Sequence, residues 1–385
     1  MDIVYLDNSA TTMPCKESAE AVKIALSEDY FNPSAVYSGG VSVYKKIEEY
    51  RSYIAKTLGA KSEEITFTSG GSESTNTAIM SAAHSSRKHT IITSMMEHHA
   101  TLNTVAYLKS RGYNVKYLKP DKNGVISEKQ VSEALDEDTF LVSLMHVNNE
   151  IGSVNDIHSI ALTIKNYDEN IIFHVDAVQS YLKEPLNVRD FKVDFLSISG
   201  HKIHALKGIG IMYHRSGIHV KPLIYGGGQE QGVRSGTENV PGIYSLGEAV
   251  KKGYLNFESN VKHMQNLRKY LKDLITSKIH DINVISPENG VCHILNVSFH
   301  NVRGEVLLHA LEEKHIYVST GSACSSKKSS SHVLTALNLS DAVKDGAIRF
   351  SLSEYNTYEE IHYAVEELEL CVEKIREIMN LRGKR

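Results

Sequence analysis

The chain has 385 residues, of which 41% are hydrophobic and 23% are charged, and its formal net charge is −4 at pH 7. This composition is typical of a soluble globular protein with a large core and more than one domain. The weak negative charge gives no reason to expect direct nucleic-acid or membrane binding. The apolar stretches are strand-sized and too short to span a membrane.

The N-terminus and the cysteines indicate the compartment. Residues 1–7 lack the basic and apolar regions of a secretory signal, so we expect a cytoplasmic protein. The four cysteines are Cys15, Cys292, Cys324 and Cys371. They are far apart and have no zinc-like spacing, so the sequence predicts reduced thiols and no metal site.

In chain order, short apolar runs alternate with helix-length segments. The predicted strands are 64–67, 90–93, 115–118, 140–145, 171–175, 193–198 and 208–212. The predicted helices between them include 73–83, 101–110, 128–135 and 157–166. This alternation predicts an α/β fold with a mostly parallel sheet, helices on both faces, and ligands at the carboxyl ends of the strands.

The pattern changes from residue 241 onward. One long helical stretch runs to about residue 279, and strand candidates follow at 293–298, 316–319 and 348–352 before a final amphipathic helix. We therefore predict a large α/β domain formed by residues 15–250. Residues 1–14 and 251–385 would form a smaller α+β domain.

Three polar segments follow predicted strands. Residues 68–74, Thr-Ser-Gly-Gly-Ser-Glu-Ser, open a helix and suit a phosphate, although Ser72 could simply be a helix N-cap. His98 could stack on an aromatic cofactor, or begin a helix without a ligand. The amide of Asn149 could bind a ring hydroxyl or a substrate carboxylate, or belong to a turn.

Asp176 and Lys202 give the sharpest indication. A carboxylate in the apolar run Phe-His-Val-Asp-Ala-Val needs a cation, either the protonated ring nitrogen of pyridoxal phosphate or a neighbouring Arg or Lys. Lys202 follows a buried strand in Ser199-Gly200-His201-Lys202. Partial desolvation of such an amine favours a Schiff base with a carbonyl cofactor. The pair predicts a pyridoxal phosphate enzyme.

Three later features could contact substrate or cofactor. Cys324 lies among small residues before Lys327 and Lys328, which predicts an exposed, flexible loop whose thiol is either a nucleophile or a surface group without a role. Arg349 interrupts an apolar strand and could bind a substrate carboxylate or form a structural ion pair. The polar loop at residues 226–237 could reach a phosphate across a subunit boundary.

Together these segments resemble the cysteine desulfurases, the NifS/IscS-like branch of the class V aminotransferase family. The resemblance covers nearly the whole chain and rests on ordered motifs. They are Tyr5-Leu-Asp-Asn-Ser-Ala-Thr-Thr12, Asn32-Pro-Ser34, Ser69-Gly-Gly-Ser-Glu-Ser74, Glu97-His98, Val147-Asn-Asn-Glu-Ile-Gly152, His174-Val-Asp-Ala-Val-Gln179, Ser199-Gly-His-Lys202, residues 226–237, Gly321-Ser-Ala-Cys324 and Arg349-Phe-Ser351.

The resemblance implies a fold-type-I homodimer with a seven-stranded sheet that binds pyridoxal 5′-phosphate and converts L-cysteine to L-alanine. It implies that Lys202 forms the Schiff base and moves protons, that His98 stacks on the ring, and that Asp176 and Gln179 bind the ring nitrogen and phenolic oxygen. The implied phosphate ligands are Gly71, Ser72, Ser199 and His201, with Thr237 from the other subunit. Asn149 and Arg349 would bind the substrate carboxylate, and Cys324 would become a persulfide.

Two departures from the family pattern concern loops. Residues 203–208 read Ile-His-Ala-Leu-Lys-Gly where the family usually has Gly-Pro-Lys-Gly, which alters the turn after Lys202 without removing a catalytic group. The basic segment after Cys324 replaces Leu-Glu-Pro-Ser and leaves the sulfur acceptor open between an iron–sulfur scaffold and a tRNA-thiolation enzyme. The rival functions are a selenocysteine lyase, another class V enzyme, and a non-catalytic binding partner.

Overall fold

The strands form one large sheet and two small ones. A computed structural model describes residues 3–320 and 331–382. The strands are β1 (Val4–Tyr5), β2 (Ile65–Thr68), β3 (Thr90–Ser94), β4 (Asn114–Leu118), β5 (Thr139–Met145), β6 (Ile172–Asp176), β7 (Phe195–Ser199), β8 (Gly210–His214), β9 (Ile282–Val284), β10 (Ile294–Phe299), β11 (Ile316–Tyr317) and β12 (Ala347–Ser351). Within this part of the chain, the seven-stranded sheet has the order β2-β8-β7-β6-β5-β3-β4. Among its strands β8 alone runs antiparallel to its neighbours, which confirms the predicted mostly parallel sheet.

Helices connect these strands. They are α1 (Lys16–Ser27), α2 (Ser38–Leu58), α3 (Gly71–Ser85), α4 (His99–Ser110), α5 (Glu128–Ala134), α6 (Ile157–Tyr167), α7 (Val240–Leu255), α8 (Phe257–Lys278), α9 (Gly304–Glu312), α10 (His332–Ala336), α11 (Asp341–Asp345) and α12 (Tyr358–Arg382). The single helical stretch predicted from residue 241 is wrong in one respect, because non-helical Asn256 (φ −110°, ψ 15°) separates α7 from α8.

Alternate residues of the central strands pack into different cores. Ile91 and Leu141 belong to one cluster with residues of α3 and α4, whereas Ile92 and Val142 belong to another with residues of α6. Successive side chains of a strand point to opposite faces of the sheet. The helices therefore cover both faces, as predicted.

A second large core forms around the small antiparallel sheet β12-β10-β9 and the paired strands β1 and β11. It contains Val4 and Leu6 together with residues between 267 and 372. A smaller cluster joins Val147 to Met264 and Val291. The predicted boundary between residues 15–250 and the rest of the chain stays a prediction.

The described residues contain no helix that is both long enough and apolar enough to cross a membrane.

The parallel strands place their carboxyl ends side by side. His98 follows β3, Asn149 follows β5, Asp176 ends β6 and Ser199 ends β7. Because these strands run in one direction, side chains distant in sequence meet at one end of the sheet.

Candidate active site

A cavity of about 330 Å³ lies at these strand ends. It is lined by ten of the predicted site residues, namely Gly71, Ser72, His98, Asn149, Asp176, Gln179, Ser199, His201, Lys202 and Arg349. Thr237 is exposed and lies outside this lining, and Cys324 lies outside the described residues.

Lys202 ends a short 3-10 turn, Gly200–Lys202, directly after β7. Its ammonium group donates hydrogen bonds to the carbonyl oxygen of Ser9 and, over 2.7 Å, to that of Ala10. The buried side chain of Lys183 donates to the backbone carbonyl of Lys202 over 3.2 Å. The N-terminal segment and a buried cation thus hold both ends of this residue at the cavity wall.

The turn after Lys202 contains the departure from the family pattern. His204 has a left-handed φ of +66°, and its N–H donates to the hydroxyl of Thr12 over 2.8 Å. The N–H of Leu206 donates to Ser245 Oγ over 2.9 Å, and Gly208 has a φ of +81°. Side-chain hydroxyls and left-handed residues therefore shape this turn without a proline.

Asp176 is 6% exposed, and its Oδ1 accepts a hydrogen bond from the N–H of Val178 over 3.0 Å. Burial raises the pKa of this carboxyl group, whereas the charges of His98 and Lys202 and the Val178 hydrogen bond lower it. None of the ion pairs among the described residues includes Asp176. The alternative of a structural salt bridge to an arginine or lysine is therefore not observed in that part of the chain.

His98 caps α4, because its Nδ1 accepts a hydrogen bond from the N–H of Ala100 over 3.1 Å. Burial lowers the pKa of the imidazole, while the Asp176 carboxylate acts in the opposite direction. With Nδ1 as acceptor, a neutral ring carries its proton on Nε2. His98 is thus both a helix-capping residue and part of the cavity wall.

The start of α3 forms the anion-binding end of the cavity. Gly70 has a φ of +151°, and α3 begins without a side-chain cap, so Ser72 is not an N-cap. A Cβ added to Gly71 would lie 2.7 Å from Val178 and 3.6 Å from Ser199. The glycines keep this helix N-terminus open to the cavity, where its N–H groups and dipole favour a phosphate.

His201 also lines this cavity. Burial, reinforced by nearby lysine charges, lowers the pKa of its imidazole to about 4. The ring is therefore neutral near pH 7, and its Nδ1 lies 3.2 Å from Thr11 Oγ1.

Arg349 is 2% exposed and fixed by two contacts. One Nη donates to Asp7 over 2.7 Å, and the other donates to the backbone carbonyl of Asn149 over 2.8 Å. Its Nε has no hydrogen-bond partner among the described residues. The structural ion pair that the sequence left open does form, and it leaves further N–H donors on the guanidinium.

Three titratable residues, two that line the cavity and one beside it, were missed from the sequence. Burial raises the pKa of Glu97 to about 8 and that of Glu150 to about 7. Glu150 accepts a hydrogen bond from Ser331 Oγ, and His332 lines the cavity. Glu97 and Glu150 lie inside motifs already noted, and a carboxylate beside an apolar run was the signal that could have identified them.

Comparisons with known proteins agree with this geometry. A family model described as Aminotransferase class-V matches residues 4–363. A protein named "Cysteine desulfurase IscS" from Dictyoglomus turgidum is 43% identical over 97% of this chain and 96% of its own length. A protein of the same name from Methanosarcina thermophila is 41% identical over 99% of this chain and 95% of its own length.

Two solved structures are also similar. A NifS-like protein superposes with a TM-score of 0.91 and 38% identity, and the match covers 97% of this chain and 100% of that protein. A structure described as SspA in complex with cysteine has a TM-score of 0.81 and 37% identity over 92% of this chain and 99% of that protein.

Proposed function

The chain belongs to the class-V aminotransferase family, and on this premise we propose that it is a pyridoxal phosphate-dependent cysteine desulfurase. It converts L-cysteine to L-alanine, and Cys324 receives the sulfur as a persulfide for transfer to an acceptor. The observation that carries the proposal is the meeting of Lys202 and the buried Asp176 in one cavity.

The cavity suits the cofactor in size and in chemistry. A volume of about 330 Å³ is in the range of small-molecule sites. The open N-terminus of α3 favours the phosphate, and the carboxylate of Asp176, buried without an ion pair among the described residues, favours a protonated ring nitrogen. When bound, the cofactor accepts the electrons released at the substrate α-carbon.

The residues that line the cavity would each have a different role toward the bound cofactor. Lys202 would hold the cofactor aldehyde and, once displaced, move the α-proton of the substrate. Asp176 would keep the ring nitrogen protonated, His98 would stack on the ring, and Gln179 would donate to the phenolic oxygen. At the other end, the phosphate would be bound by Gly71, Ser72, Ser199 and His201.

Asn149 and Arg349 would bind the substrate carboxylate. The contacts of Arg349 with Asp7 and with the backbone of Asn149 fix the guanidinium plane, and its buried Nε lacks a partner among the described residues. A rigidly held guanidinium that still has N–H donors available can bind a planar carboxylate.

Cys324 would be the sulfur acceptor within the chain. The three described cysteines, Cys15, Cys292 and Cys371, are buried, and burial raises the pKa of each thiol. The Cys324 thiolate would attack the substrate sulfur, so that an S–S bond forms, the substrate C–S bond breaks and the substrate β-carbon gains a proton. One thiol and one L-cysteine thereby become one persulfide and one L-alanine.

A homodimer would complete the site, with Thr237 reaching the phosphate of the partner subunit. Leu223 lines a groove that shares Ser72 and His98 with the cavity, and Tyr225 is 81% exposed. An apolar, exposed segment next to the site favours a subunit interface there. The final acceptor would be an iron–sulfur scaffold or a tRNA-thiolation enzyme, and the cytoplasmic location stays a prediction.

The function is tested by a visible spectrum and a product assay. We expect purified protein with pyridoxal phosphate to be yellow, borohydride to fix the cofactor to Lys202, and L-cysteine to yield L-alanine and, with reductant, sulfide. Cys324→Ala should keep the absorbance and lose the sulfide, whereas Cys371→Ala should keep both.

The outcomes separate the rival functions. Full activity in Cys324→Ala would overturn the persulfide role. Selenocysteine turnover without cysteine turnover would indicate a selenocysteine lyase, and cofactor binding without alanine would indicate a non-catalytic protein. A colourless protein that takes up no cofactor would refute the assignment as a whole.

A further inference from the structure

One buried histidine beside the cavity has no part in the proposed function. His293 directly precedes β10 and is 1% exposed. Its Nε2 lies 3.4 Å from Oε1 of Gln179, a residue of the cavity wall. Its backbone carbonyl accepts a hydrogen bond from the N–H of Leu352 over 2.8 Å, so the ring is attached to a fixed position in the small sheet.

The surroundings of His293 determine its charge. Burial holds the pKa of the imidazole well below its usual value, and the nearby charges of Lys183, Arg349, Arg268 and Lys202 act in the same direction. A protonated His293 would be repelled by these four positive charges. The ring is therefore neutral and carries one proton, which sits on either Nδ1 or Nε2.

The neighbouring amide determines which nitrogen carries that proton. Gln179 lies 3.0 Å from the carbonyl oxygen of Ser9, and because a carbonyl only accepts, the amide group facing it is Nε2. The Oε1 of Gln179 then faces His293 and needs a donor. The Nδ1 of His293 has no partner among the described residues, so the proton belongs on Nε2, where an acceptor is available.

We propose that His293 is a positioning residue that fixes the side-chain amide of Gln179 with an N–H directed into the cavity. The inference rests on the proposed function, in which this amide meets the phenolic oxygen of the cofactor. The amide nitrogen has two hydrogens, of which Ser9 takes one and the cofactor oxygen takes the other. Without His293, Ser9 alone would orient the amide, and its carbonyl also accepts from Lys202.

The test compares His293→Phe with His293→Gln in the holoenzyme. A donor at the phenolic oxygen stabilises the deprotonated form of the lysine-bound cofactor. Losing this donor in His293→Phe should raise the pH midpoint of the visible absorbance change by about half to one unit. The kcat/KM for L-cysteine should fall roughly two- to tenfold. His293→Gln keeps a donor and should restore both values.

Two controls separate positioning from packing. His214→Phe removes a half-buried imidazole whose buried Nδ1 also lacks a partner among the described residues. It lies at the opposite end of β8 from the cavity, so this substitution should leave the midpoint unchanged. In a Gln179→Leu background, His293→Phe should cause no further shift, because the residue through which it acts is gone. If His293→Phe does not fold, His293→Met removes the donor with a smaller change in shape.

The results are decisive in either direction. An unchanged midpoint in a folded His293→Phe or His293→Met protein would overturn the inference, as would an equal shift in the Gln179→Leu background. A wild-type protein without a visible band would instead refute the proposed function, so the two failures are distinguishable.

Discussion

Two buried aspartates at opposite ends of the central strands differ in their ion-pair partners. Asp194, just before β7, is fully buried, and its carboxylate binds Lys165 over 2.5 Å and Arg215 over 2.7 Å. It also accepts a hydrogen bond from the N–H of Phe173 over 2.8 Å. Asp176, at the carboxyl end of β6, forms no ion pair with an arginine or lysine among the described residues.

This difference in ion pairing distinguishes a carboxylate that stabilises the fold, Asp194, from one that is available to a ligand, Asp176. A buried carboxylate is costly unless a cation and hydrogen bonds compensate for its lost hydration. Lys165, Arg215 and a backbone N–H supply that compensation for Asp194. Asp176 has a backbone hydrogen bond and the nearby charges of His98 and Lys202 but no ion pair among the described residues, so a charged ligand can supply that pair instead. Glu97, which is also at the carboxyl end, has a pKa raised to about 8 by burial and an Oε2 without a partner among the described residues.

The largest expected effect distinguishes the two lysines of these regions. Lys202→Ala should lower the rate of alanine formation by roughly a hundred- to ten-thousandfold, because the group that moves the α-proton is lost. Lys165→Met should leave the turnover number within about twofold and instead lower the free energy of unfolding by about 3–5 kcal/mol, because it leaves Asp194 partly uncompensated. Turnover assays and urea titrations measure the two quantities.

A result in which both lysine variants lose activity while remaining folded would contradict this separation. Borohydride reduction followed by peptide mapping provides a control, since Lys165→Met should retain the labelled Lys202 peptide.

The next largest expected effect is that of replacing each aspartate by asparagine. Asp176→Asn should reduce turnover by roughly a hundred- to thousandfold, since the ring nitrogen would lose its ion-pair partner. The unfolding free energy of the cofactor-free variant should not fall, because the cost of burying the Asp176 charge, which raises its pKa, outweighs the attraction of His98 and Lys202. Asp194→Asn should show the opposite pattern, with near-normal turnover and a lower denaturation midpoint. Equal losses of stability in Asp176→Asn and Asp194→Asn would contradict the proposed difference between the two aspartates.

A smaller effect concerns the pH dependence of stability. The folded-state pKa of Glu97 is about 8, above its usual value of 4.5, so between these values the folded state keeps a proton that the unfolded state has released. The stabilisation is complete below pH 4.5 and is lost as the pH rises towards 8. Glu97→Gln stays neutral, so its unfolding free energy should decline less between pH 5 and pH 8, a difference of about 1–4 kcal/mol. Parallel urea titrations at both pH values test this, and identical slopes for wild type and variant would exclude it.

The residues that the structure brings together at the carboxyl ends of the strands could be selected from the sequence because each ends or follows a short apolar run; their roles stay predictions. Asp176 and Lys202 stand out locally, and parallel strands bring such residues together without knowledge of their contacts. Whether Asp176 was paired could not be read in this way, since the cations that compensate a buried carboxylate come from other elements, as Lys165 and Arg215 do for Asp194. Their arrangement depends on the packing of α6 and β8.

Contacts made through backbone atoms could not be predicted from the sequence either. The carbonyls of Ser9 and Ala10 hold the amine of Lys202 from more than 190 positions away, and a carbonyl carries no residue-specific signal. His293 was assigned only to a strand, because its contact with Gln179 crosses from the small sheet to the large one. Cys324 and its predicted loop lie outside the described residues, so its role stays a prediction.

The smallest expected effect concerns the outer partner of Asp194. The side chain of Arg215 is 49% exposed, whereas that of Lys165 is 7% exposed. Water can replace much of the Arg215 interaction, so Arg215→Gln should lower the unfolding free energy by only about 0.5–1 kcal/mol and leave turnover unchanged. Raising the salt concentration should shrink this difference but not the larger effect of Lys165→Met, because salt screens exposed charges more than buried ones. Urea titrations of both variants at low and high salt measure this, and a loss for Arg215→Gln as large as that for Lys165→Met would show that both cations are needed equally.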